Sequence, residues 1–441
     1  MATRERIKKG FSKLLKEEKL KLIANYFENP GEVVNLLKSY WHPDQKQQQL
    51  FDEFSENTIT NFFIPYGISP NVTINGKDYI VPMVIEESSV VAAASVAAKF
   101  WGERGGFHAE VIDVRKVGQV HFGWSGDKTK LFELFPKIQA RLLHDTDTMT
   151  EKMRKRGGGI LGMRLIDYSD QIPDYYQIRV EFGTGDAMGA NFINSALEQF
   201  GHSLQDFFAE QADLPEELRK VEIIMTILSN NTPDCRVRVW VECPVKELDG
   251  IDEHLTGAEY AKKFKKAVDI AHIDTDRATT HNKGIYNGID AVVIATGNDF
   301  RAVEAAGHTY ASRKGHYESL SSAKIENGIF HFELEVPMAL GTIGGLTSLH
   351  PLAKKTLELL GNPTAKELMM IAATMGLANN FSAVRSLTTK GIQAGHMKMH
   401  LNNILNQLNA SEDEKKKARD YFKDKTVSYA GVEQYLDSLR K

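Results

Sequence analysis

Four short stretches of this 441-residue chain carry side chains whose types and spacing could support chemistry. The first is Glu86-Glu87-Ser88-Ser89, which opens an alanine-rich segment that favours a helix. Free N–H groups at such a helix start can bind an anion, and a desolvated acid beside them can donate a proton. The alternative is a plain helix N-terminus whose acids only complement the helix dipole.

The second stretch is glycine-rich and lies between a predicted strand and a predicted helix, at Gly183–Asn191. Glycines at that position let a pyrophosphate approach the backbone and the helix N-terminus. The spacing G-x-G-x-x-x-G is one residue longer than the usual dinucleotide fingerprint, so a tight strand-to-helix turn is an equal alternative.

The third stretch places Lys283 in a Gly/Asn-rich segment that we interpret as a turn, followed by an apolar run that ends near Asp299. A desolvated lysine can act as a point charge on a carbonyl oxygen. A solvated surface lysine is the alternative. Sixteen residues separate Lys283 from Asp299, roughly 24 Å along one straight helix. If the two cooperate, the chain doubles back or they meet across a subunit interface.

The fourth stretch contains His396, which follows a glycine shortly before a polar helical tail. A histidine there could donate a proton when the tail closes. His396 and His400 are spaced to bind zinc, but the glutamate of a zincin is absent and no third ligand is evident. We therefore predict no metal, and a satisfied surface histidine is the alternative.

The elements that must position these stretches fall into a mixed α+β pattern. Residues from about 115 to 228 predict the ferredoxin-like order β-α-β-β-α-β. The predicted elements are Val117–Trp124, Thr129–His144, Gly162–Tyr168, Tyr176–Phe182, Ala187–Phe200 and Val221–Leu228. Because both flanks are helix-rich, we expect this small domain to be inserted into a larger one.

Other segments predict the larger domain around that insertion. Residues 1 to about 55 show helical spacing, and Asn75-Gly76 between apolar runs predicts a hairpin. After about residue 250 we expect helices interrupted by glycine-rich turns at Gly284, Gly288 and Gly297. The predicted domains are 1–114 and 229–392 for the large domain, 115–228 for the insertion, and 393–441 for a mobile helical flap.

Composition excludes several classes of protein. The chain has 42% apolar and 25% charged residues, which is ordinary globular usage, and a net charge of -4. That balance argues against nucleic acid or an anionic membrane as a partner. No apolar run is long enough for a membrane helix. Cys235 and Cys243 suit a reducing compartment, so we expect a cytoplasmic protein.

Taken in order, these stretches resemble one family, the HMG-CoA reductases, and within it the soluble class II branch of bacteria. The resemblance covers most of the chain, from about Val81 to His400. It is carried by Pro82–Ser95, Asp186–Asn191, Thr280–Ile285, Asn287–Asp290, Ala295–Asp299, Gly341–Gly345 and Gly391–Met397.

The resemblance implies a four-electron reduction of 3-hydroxy-3-methylglutaryl-CoA to mevalonate and free CoA, or the reverse reaction, with NAD(P)H. It assigns the family's catalytic roles to Glu87, Lys283, Asp299 and His396. Lys283 would stabilise the oxyanion and His396 would protonate the CoA thiolate. Glu87 would supply a proton to the aldehyde oxygen, and Asp299 would tune Lys283 and Glu87 electrostatically.

The resemblance also implies where the ligands bind. The substrate positions are Ser89, Arg277, Asn287 and Asn379, and the nucleotide positions are Asp186, Ala187, Met188, Gly189, Ala190 and Asn191. The family builds its active site between two subunits, so the expected assembly is a homodimer or a multiple of dimers.

One departure from the family pattern bears on the cofactor. NADH-preferring members carry an aspartate seven residues before the Gly157-Gly158-Gly159 run, and here that position is Thr150, followed by Lys152, Arg154, Lys155 and Arg156. The lost acid and the added bases favour NADPH over NADH, whereas an ordinary basic helix end is the alternative.

Two other functions fit the same sequence. A catalytically silent protein that binds acyl-CoA would keep the fold without turnover. A thioester hydrolase or acyltransferase would need a nucleophile, but Cys235 and Cys243 lie in an alternating strand pattern that indicates a structural role.

Overall fold

The computed structural model describes residues 10–389, 401–423, 425 and 427–440. It divides into two compact units, Met1–Pro65 and Tyr66–Lys441, a break that the sequence analysis did not predict. Among its described residues, the first unit contains three α-helices, α1 (Lys16–Ala24), α2 (Pro30–Ser39) and α3 (Gln45–Asp52). The Lys16 ammonium ties the start of α1 to the end of α3, because it lies 2.7 Å from the Asp52 carboxylate.

The second unit begins with the hairpin that the Asn-Gly pair predicts. Strands β1 (Tyr66–Ile74) and β2 (Lys77–Val84) pair antiparallel, and Asn75 and Gly76 form the turn with φ of 49° and 78°. Those positive φ values are the ones that a type I′ turn requires. Helix α4 (Val90–Gly102) follows after a short loop.

The small sheet has the strand and helix order that the sequence predicts, with one additional helix. In chain order the elements after α4 are β3 (His108–Val114), β4 (Lys116–Gly123), α5 (Lys128–Asp145), α6 (Asp147–Arg154), β5 (Gly159–Asp167), β6 (Tyr175–Gly183), α7 (Ala190–Ala209) and β7 (Glu222–Ser229). The sheet order is β5-β6-β4-β7, and all its pairs are antiparallel. Its alternate residues bury an apolar core against α5 and α7. Helix α6 was not predicted.

A second four-stranded sheet supports the large helical layer. The remaining elements of this region are β8 (Cys235–Pro244), α8 (Gly257–Ile273), α9 (Thr275–Ala295), α10 (Phe300–Ala311), β9 (Ser321–Glu326), β10 (Ile329–Pro337), α11 (Leu346–Leu349), α12 (Pro351–Leu359) and α13 (Ala365–Thr388). The order is β3-β8-β10-β9, all antiparallel. The β9–β10 hairpin was not predicted, although Asn327-Gly328 at its turn carries the same signal as Asn75-Gly76.

The predicted turns at Gly284 and Gly288 are wrong, because both residues lie inside the 21-residue helix α9. The structure explains why Gly288 is tolerated there. A Cβ at Gly288 would collide with the Met375 carbonyl oxygen and lie 2.8 Å from the Asn379 amide, so glycine lets α13 pack closely against α9. Helix α13 is buried on nearly every side, and this close packing offsets the low helix propensity of glycine.

The C-terminal helices pack on one another through their own apolar cluster. They are α14 (residues 401–407 within the described part), α15 (Glu412–Tyr421) and α16 (Tyr429–Arg440). Leu405, Ala418 and Val432 are fully buried in that cluster. Ser411 and Glu414 form a capping box that caps the start of α15 reciprocally. Across the described residues, no helix has the length and apolarity needed to span a bilayer.

Candidate active site

One face of α9 gathers polar residues that the sequence analysis singled out. Asp274 caps the helix by accepting a hydrogen bond from the Arg277 amide. At about 100° per residue, five side-chain positions then fall within an arc of about 120°. They are Arg277, Thr280, Lys283, Gly284 and Asn287, none of them fully buried, whereas the opposite face is buried in the core.

Lys283 on this face forms an ion pair with Glu87, the predicted acid. Glu87 lies in the loop between β2 and α4, and Ser89 closes that loop with a left-handed φ of 75°. The side chains are 60% exposed for Lys283 and 42% exposed for Glu87. An ion pair as exposed as this contributes little to stability. Its effect is to place a cation and a carboxyl group together on an open surface.

Arg277 lies six residues before Lys283 and is half-buried. Burial lowers the pKa of its guanidinium, although nearby Asp274 opposes that shift. Within the described part of the chain this guanidinium forms no ion pair. A half-buried, planar cation of this kind is suited to a bidentate hold on a carboxylate.

The buried side of α9 is held by a hydrogen-bond network that the sequence analysis did not identify. The His281 imidazole Nε2 lies 2.7 Å from the Ser321 hydroxyl, which donates to the Asn380 side chain at 2.8 Å. The Asn282 amide donates to the Glu318 carbonyl at 2.9 Å. Burial lowers the pKa of His281 to about 3, so this histidine is neutral. The network fixes the rotation of α9, and hence the direction of its polar face.

Asn379, a predicted substrate residue, lies on α13 behind this face. It is buried, and its amide donates to the Met375 carbonyl at 3.1 Å. It also lies against Gly288 of α9. The structure therefore brings Asn379 to the helix that carries Lys283 and Asn287, although at its inner side.

Asp299 lies at the other end of α9, in the turn that leads to α10. Its carboxylate caps α10 through the Arg301 and Ala302 amides and pairs with the Arg301 guanidinium at 3.0 Å. Burial alone would raise the pKa of Asp299, but these hydrogen bonds outweigh it and the pKa is lowered. Lys283 precedes the last residue of α9 by 12 positions, roughly 18 Å along the helix. Within one chain, Asp299 is therefore remote from Lys283.

Three loops meet beside Asp299. The Asn298 side chain accepts a hydrogen bond from the Gly341 amide at 2.9 Å. The Thr342 amide donates to the Asp186 carbonyl at 2.8 Å. A Cβ on Gly341 would collide with the Met188 amide, so only glycine permits this approach. The glycine-rich stretch, the Asp299 turn and the Gly341 loop thus form one cluster.

The glycine-rich stretch delivers the N-terminus of α7 to this cluster. Gly189 caps α7 with φ of 89° and, having no side chain, leaves the first-turn amides without a side-chain cap. Gly185 also has a positive φ of 55°, and a Cβ on Gly189 would collide with Thr184. The 20-residue helix α7 and this glycine cradle fit the phosphates of a dinucleotide. The Asp186 carboxylate is engaged elsewhere, accepting from the Ala365 amide at 2.8 Å.

Thr150 occupies the buried side of α6. Its hydroxyl donates to the Thr146 carbonyl at 2.9 Å and accepts from the Arg154 guanidinium at 2.5 Å. Arg154 also pairs with Asp147 at 2.7 Å. Lys155 likewise pairs with Glu151. Two of the four bases after Thr150, Arg154 and Lys155, are therefore engaged in ion pairs.

Lys116 is a residue of this region that the sequence analysis missed. It begins β4, is only 5% exposed, and donates to the Thr184 hydroxyl and to the Ala187 and Met188 carbonyls. A lone lysine in a strand gives no sequence signal of such a role, because the loop that it holds lies about 70 residues away in the chain.

Comparison with known proteins places this geometry in a family. A sequence model described as hydroxymethylglutaryl-coenzyme A reductase matches residues 16–401. The chain belongs to this family. It is 36% identical over 414 residues to 3-hydroxy-3-methylglutaryl-coenzyme A reductase of Archaeoglobus fulgidus, covering 92% of this chain and 88% of that protein. It is 33% identical over 389 residues to a probable reductase of Borreliella burgdorferi, covering 86% and 84%.

A solved structure of the class II reductase from Streptococcus pneumoniae, bound to NADPH in open conformations, has a similar fold. The TM-score is 0.71 at 35% identity, and the match covers 97% of this chain and 100% of that chain. The mixed α+β fold class predicted from the sequence is thereby confirmed, as is the resemblance to the class II branch.

His396 lies outside the described residues, as does His400. Cys235 and Cys243 are unpaired and buried on β8, and burial raises the pKa of each thiol to about 11. A buried thiol with so high a pKa is a poor nucleophile, which argues against the hydrolase and acyltransferase alternatives.

Proposed function

We propose that this chain reduces 3-hydroxy-3-methylglutaryl-CoA to mevalonate and free CoA with two NADPH, or catalyses the reverse reaction. The observation that supports this most strongly is the Glu87–Lys283 pair, exposed on the α9 face beside Arg277 and Asn287. It joins a cation able to stabilise an oxyanion to an acid able to move a proton.

The substrate's free carboxylate binds the Arg277 guanidinium, which has no competing ion pair in the described structure. Ser89 at the loop corner and Asn287, one turn beyond Lys283, hold the hydroxymethylglutaryl end. Asn379 supports this surface from behind. The thioester carbonyl is thereby directed at Lys283.

Each of the two reductions adds one hydride to a carbonyl carbon. The bound dinucleotides supply those hydrides, one to the thioester and one to the aldehyde. Lys283 stabilises the negative oxygen that forms when the thioester carbonyl is reduced. The hemithioacetal then breaks its C–S bond, which yields mevaldehyde and the CoA thiolate. After the second hydride addition, Glu87 delivers a proton to the alkoxide oxygen, which completes mevalonate.

His396 protonates the departing thiolate, because an unprotonated thiolate would add back to the aldehyde. Its position before the C-terminal helices fits a proton donor that arrives when this segment closes over the substrate. We propose residues 393–441 as that flap and residues 115–228 as the nucleotide-binding insertion.

The remote position of Asp299 favours an active site shared between two subunits. Roughly 18 Å along α9 separate Lys283 from the end of the helix, so the Asp299 that tunes Lys283 and Glu87 belongs to the second copy. A twofold dimer in which the Asp299 turn of each copy lies beside Lys283 of the other would form two equivalent sites. We therefore propose a homodimer or a multiple of dimers.

Subunit complementation tests this assembly. Lys283→Met and Asp299→Asn chains are each inactive, but when unfolded, mixed and refolded, half of the dimers combine one of each. Each mixed dimer then has one intact site, so about a quarter of the wild-type activity returns. If Lys283 and Asp299 act within one chain, the mixture stays inactive.

NADPH is the proposed cofactor. An aspartate that would repel the 2′-phosphate is replaced by the buried Thr150. Lys152 and Arg156 form no ion pair within the described chain, so their charge is available to a phosphate. The unpaired thiols Cys235 and Cys243 fit a reducing compartment such as the cytoplasm.

The deciding experiment follows NADPH and NADH oxidation side by side, with and without 3-hydroxy-3-methylglutaryl-CoA. Turnover that depends on the thioester and prefers NADPH supports both proposals. A preference for NADH would leave the reductase and contradict the assigned cofactor. Thioester binding without turnover by either nucleotide would instead establish a silent acyl-CoA-binding protein.

A further inference from the structure

We propose that Lys116 is a positioning residue for the dinucleotide: its ammonium holds the glycine-rich loop from beneath and adds a positive charge under the phosphates. The inference rests on the proposed use of Gly183–Asn191 as the nucleotide loop. It assigns a role to a residue that takes part in neither the substrate face of α9 nor the proton transfers.

Each of the three N–H donors of the Lys116 ammonium has its own acceptor. The ammonium donates to the Thr184 hydroxyl at 2.5 Å, to the Ala187 carbonyl at 2.9 Å and to the Met188 carbonyl at 2.8 Å. The Thr184 hydroxyl in turn donates to the Ala187 carbonyl at 2.7 Å. Three N–H donors thus meet three acceptors from one loop, and each acceptor is neutral.

The charge itself is uncompensated. Within the described chain, no carboxylate pairs with Lys116, although it is only 5% exposed. A buried cation without a counterion is costly, and a packed apolar side chain of similar length would usually be more stable. A structural need alone therefore explains the residue poorly. An anionic ligand at the outer side of the same loop would supply the missing countercharge.

The hydrogen bonds from Lys116 fix the backbone of the glycine-rich loop, and this backbone positions the groups that would contact the nucleotide. Met188 directly precedes Gly189, the cap of α7, so holding its carbonyl fixes the direction of the free first-turn amides. The Met188 amide is the atom that a Cβ on Gly341 would strike, so the Gly341 loop packs on the same peptide. Lys116, Met188 and Ala302 of α10 line one pocket at this seam.

Three groups near Lys116 decide how it responds to pH. Burial lowers the pKa of Lys116 to about 8. Cys235 on β8, whose charge would act on Lys116, stays a thiol because burial raises its pKa to about 11. Asp113 and Arg115 at the end of β3 pair with each other at 2.6 Å. Of these groups, only Lys116 changes charge between pH 7 and about 9.

The sign of this titration separates positioning from stability. Because the folded-state pKa lies below the ordinary value of 10.5, the unfolded chain holds more protons between about pH 8 and 10.5. The contribution of Lys116 to stability therefore rises with pH in that window. Its grip on the loop weakens over the same range, because a neutral amine offers only two donors to three acceptors. If Lys116 were purely structural, stability and NADPH affinity would change with pH in the same direction.

The test measures the Kd of NADPH and of 3-hydroxy-3-methylglutaryl-CoA by calorimetry, together with the melting temperature, for the wild-type chain and Lys116→Met. We expect Lys116→Met to weaken NADPH binding about tenfold or more at pH 7 and to leave the thioester Kd within about twofold. Its melting temperature should fall no further than that of the control variant, because the loss of an uncompensated buried charge offsets the acceptors left unpaired. The wild-type Kd for NADPH should rise between pH 7 and 9, whereas that of Lys116→Met should be independent of pH.

Gln177→Met is the matched control. Gln177 is 7% exposed on β6 of the same sheet and accepts from the Gln119 amide at 3.0 Å, away from the loop. It should lower the melting temperature without changing the Kd for NADPH. If Lys116→Met does not fold, Thr184→Val, which removes one acceptor, should weaken NADPH binding by a smaller factor.

Two results would overturn the inference. One is NADPH binding to Lys116→Met with wild-type affinity and wild-type pH response. The other is a loss of NADPH and thioester affinity in parallel with melting temperature, which would mark Lys116 as structural. If the wild-type chain binds neither ligand, the proposed function fails instead, and that outcome is distinct from both.

Discussion

The middle of α9 and the turn beyond its end build their surfaces in opposite ways. In the middle of the helix, Lys283 and Asn287 project from a rigid backbone, and the chemistry lies in their side chains. Beyond the end, at Asp299, the surface is made of three loops whose backbones touch, and the decisive atoms are amides and carbonyls. The middle of the helix offers a cation with an acid beside it, whereas the turn beyond the end offers a backbone cradle.

This contrast shows what each surface needs from the rest of the fold. The helix face is oriented by a neutral buried network through His281, so its direction does not depend on the contacts of its outer side chains. The loop cluster has no regular element to orient it and depends on individual contacts such as those of Lys116 and Asn298. Substitutions should therefore act on turnover at the helix face and on ligand affinity at the cradle.

The strongest test of the helix face is Lys283→Met. Removing a donor from the developing oxyanion should lower kcat about a thousandfold, with both the thioester and free mevaldehyde as substrate. Steady-state NADPH oxidation measures it. Lys266→Met on the neighbouring α8 is the control and should remain active. Retention of more than about a tenth of wild-type turnover by Lys283→Met would remove this lysine from the mechanism.

His396→Asn separates the two reductions. Without a proton donor for the thiolate, reduction of the thioester should fall about a hundredfold, while reduction of mevaldehyde, which releases no thiolate, should fall far less. The two rates are measured on the same preparation, with His400→Asn as the control from the same segment. An equal loss for both substrates would contradict the assigned role of His396.

Arg277 tests whether the helix face also binds substrate. Arg277→Met should raise the KM for 3-hydroxy-3-methylglutaryl-CoA about thirtyfold and change the KM for NADPH little, because the lost contact is a charged pair to the carboxylate. Arg277→Lys keeps the charge but loses the planar fork of the guanidinium. Its KM for the thioester should therefore lie between that of the wild type and that of Arg277→Met. A KM for the thioester that does not change in either variant would show that the carboxylate binds elsewhere.

The cofactor preference is the corresponding test at the cradle. Reversing the unpaired charges with Lys152→Glu and Arg156→Glu should lower kcat/KM for NADPH about tenfold and leave the value for NADH nearly unchanged. Lys155→Glu is the matched control, because Lys155 already pairs with Glu151 at 2.6 Å and offers less free charge. If all three variants change the ratio of kcat/KM for NADPH to kcat/KM for NADH by the same factor, general surface charge and not a phosphate site sets the preference for NADPH.

The sequence predicted these two regions unequally, for a physical reason. Local signals sufficed where neighbours in the chain determine the structure, as at the Asn75-Gly76 turn and in the strand order of the small sheet. They failed at Gly288, where close packing of α13 outweighs the propensity of glycine to end a helix. They could not reveal Lys116, because its three acceptors come from a loop distant in the chain. The resemblance named Lys283 and Asp299, but only the helix between them shows that they are far apart within one chain.

The smallest predicted effect concerns Asp290, which lies on α9 between the two ends. One carboxylate oxygen of Asp290 is buried and has no hydrogen-bond partner in the described structure. Burial raises the pKa of this carboxyl, and Glu304 on α10 raises it further. A carboxyl with a raised folded-state pKa contributes stability at low pH and loses that contribution as the pH rises through the folded-state value. Asp290→Asn should therefore melt about 2 °C above the wild type at about pH 9, and the two should converge near pH 5. Thermal melts across that range measure the difference.

Glu304→Gln should show the same pH dependence if the carboxyls of Asp290 and Glu304 share a proton. A difference in melting temperature that is constant at every pH would instead mean that Asp290 affects α9 only through packing.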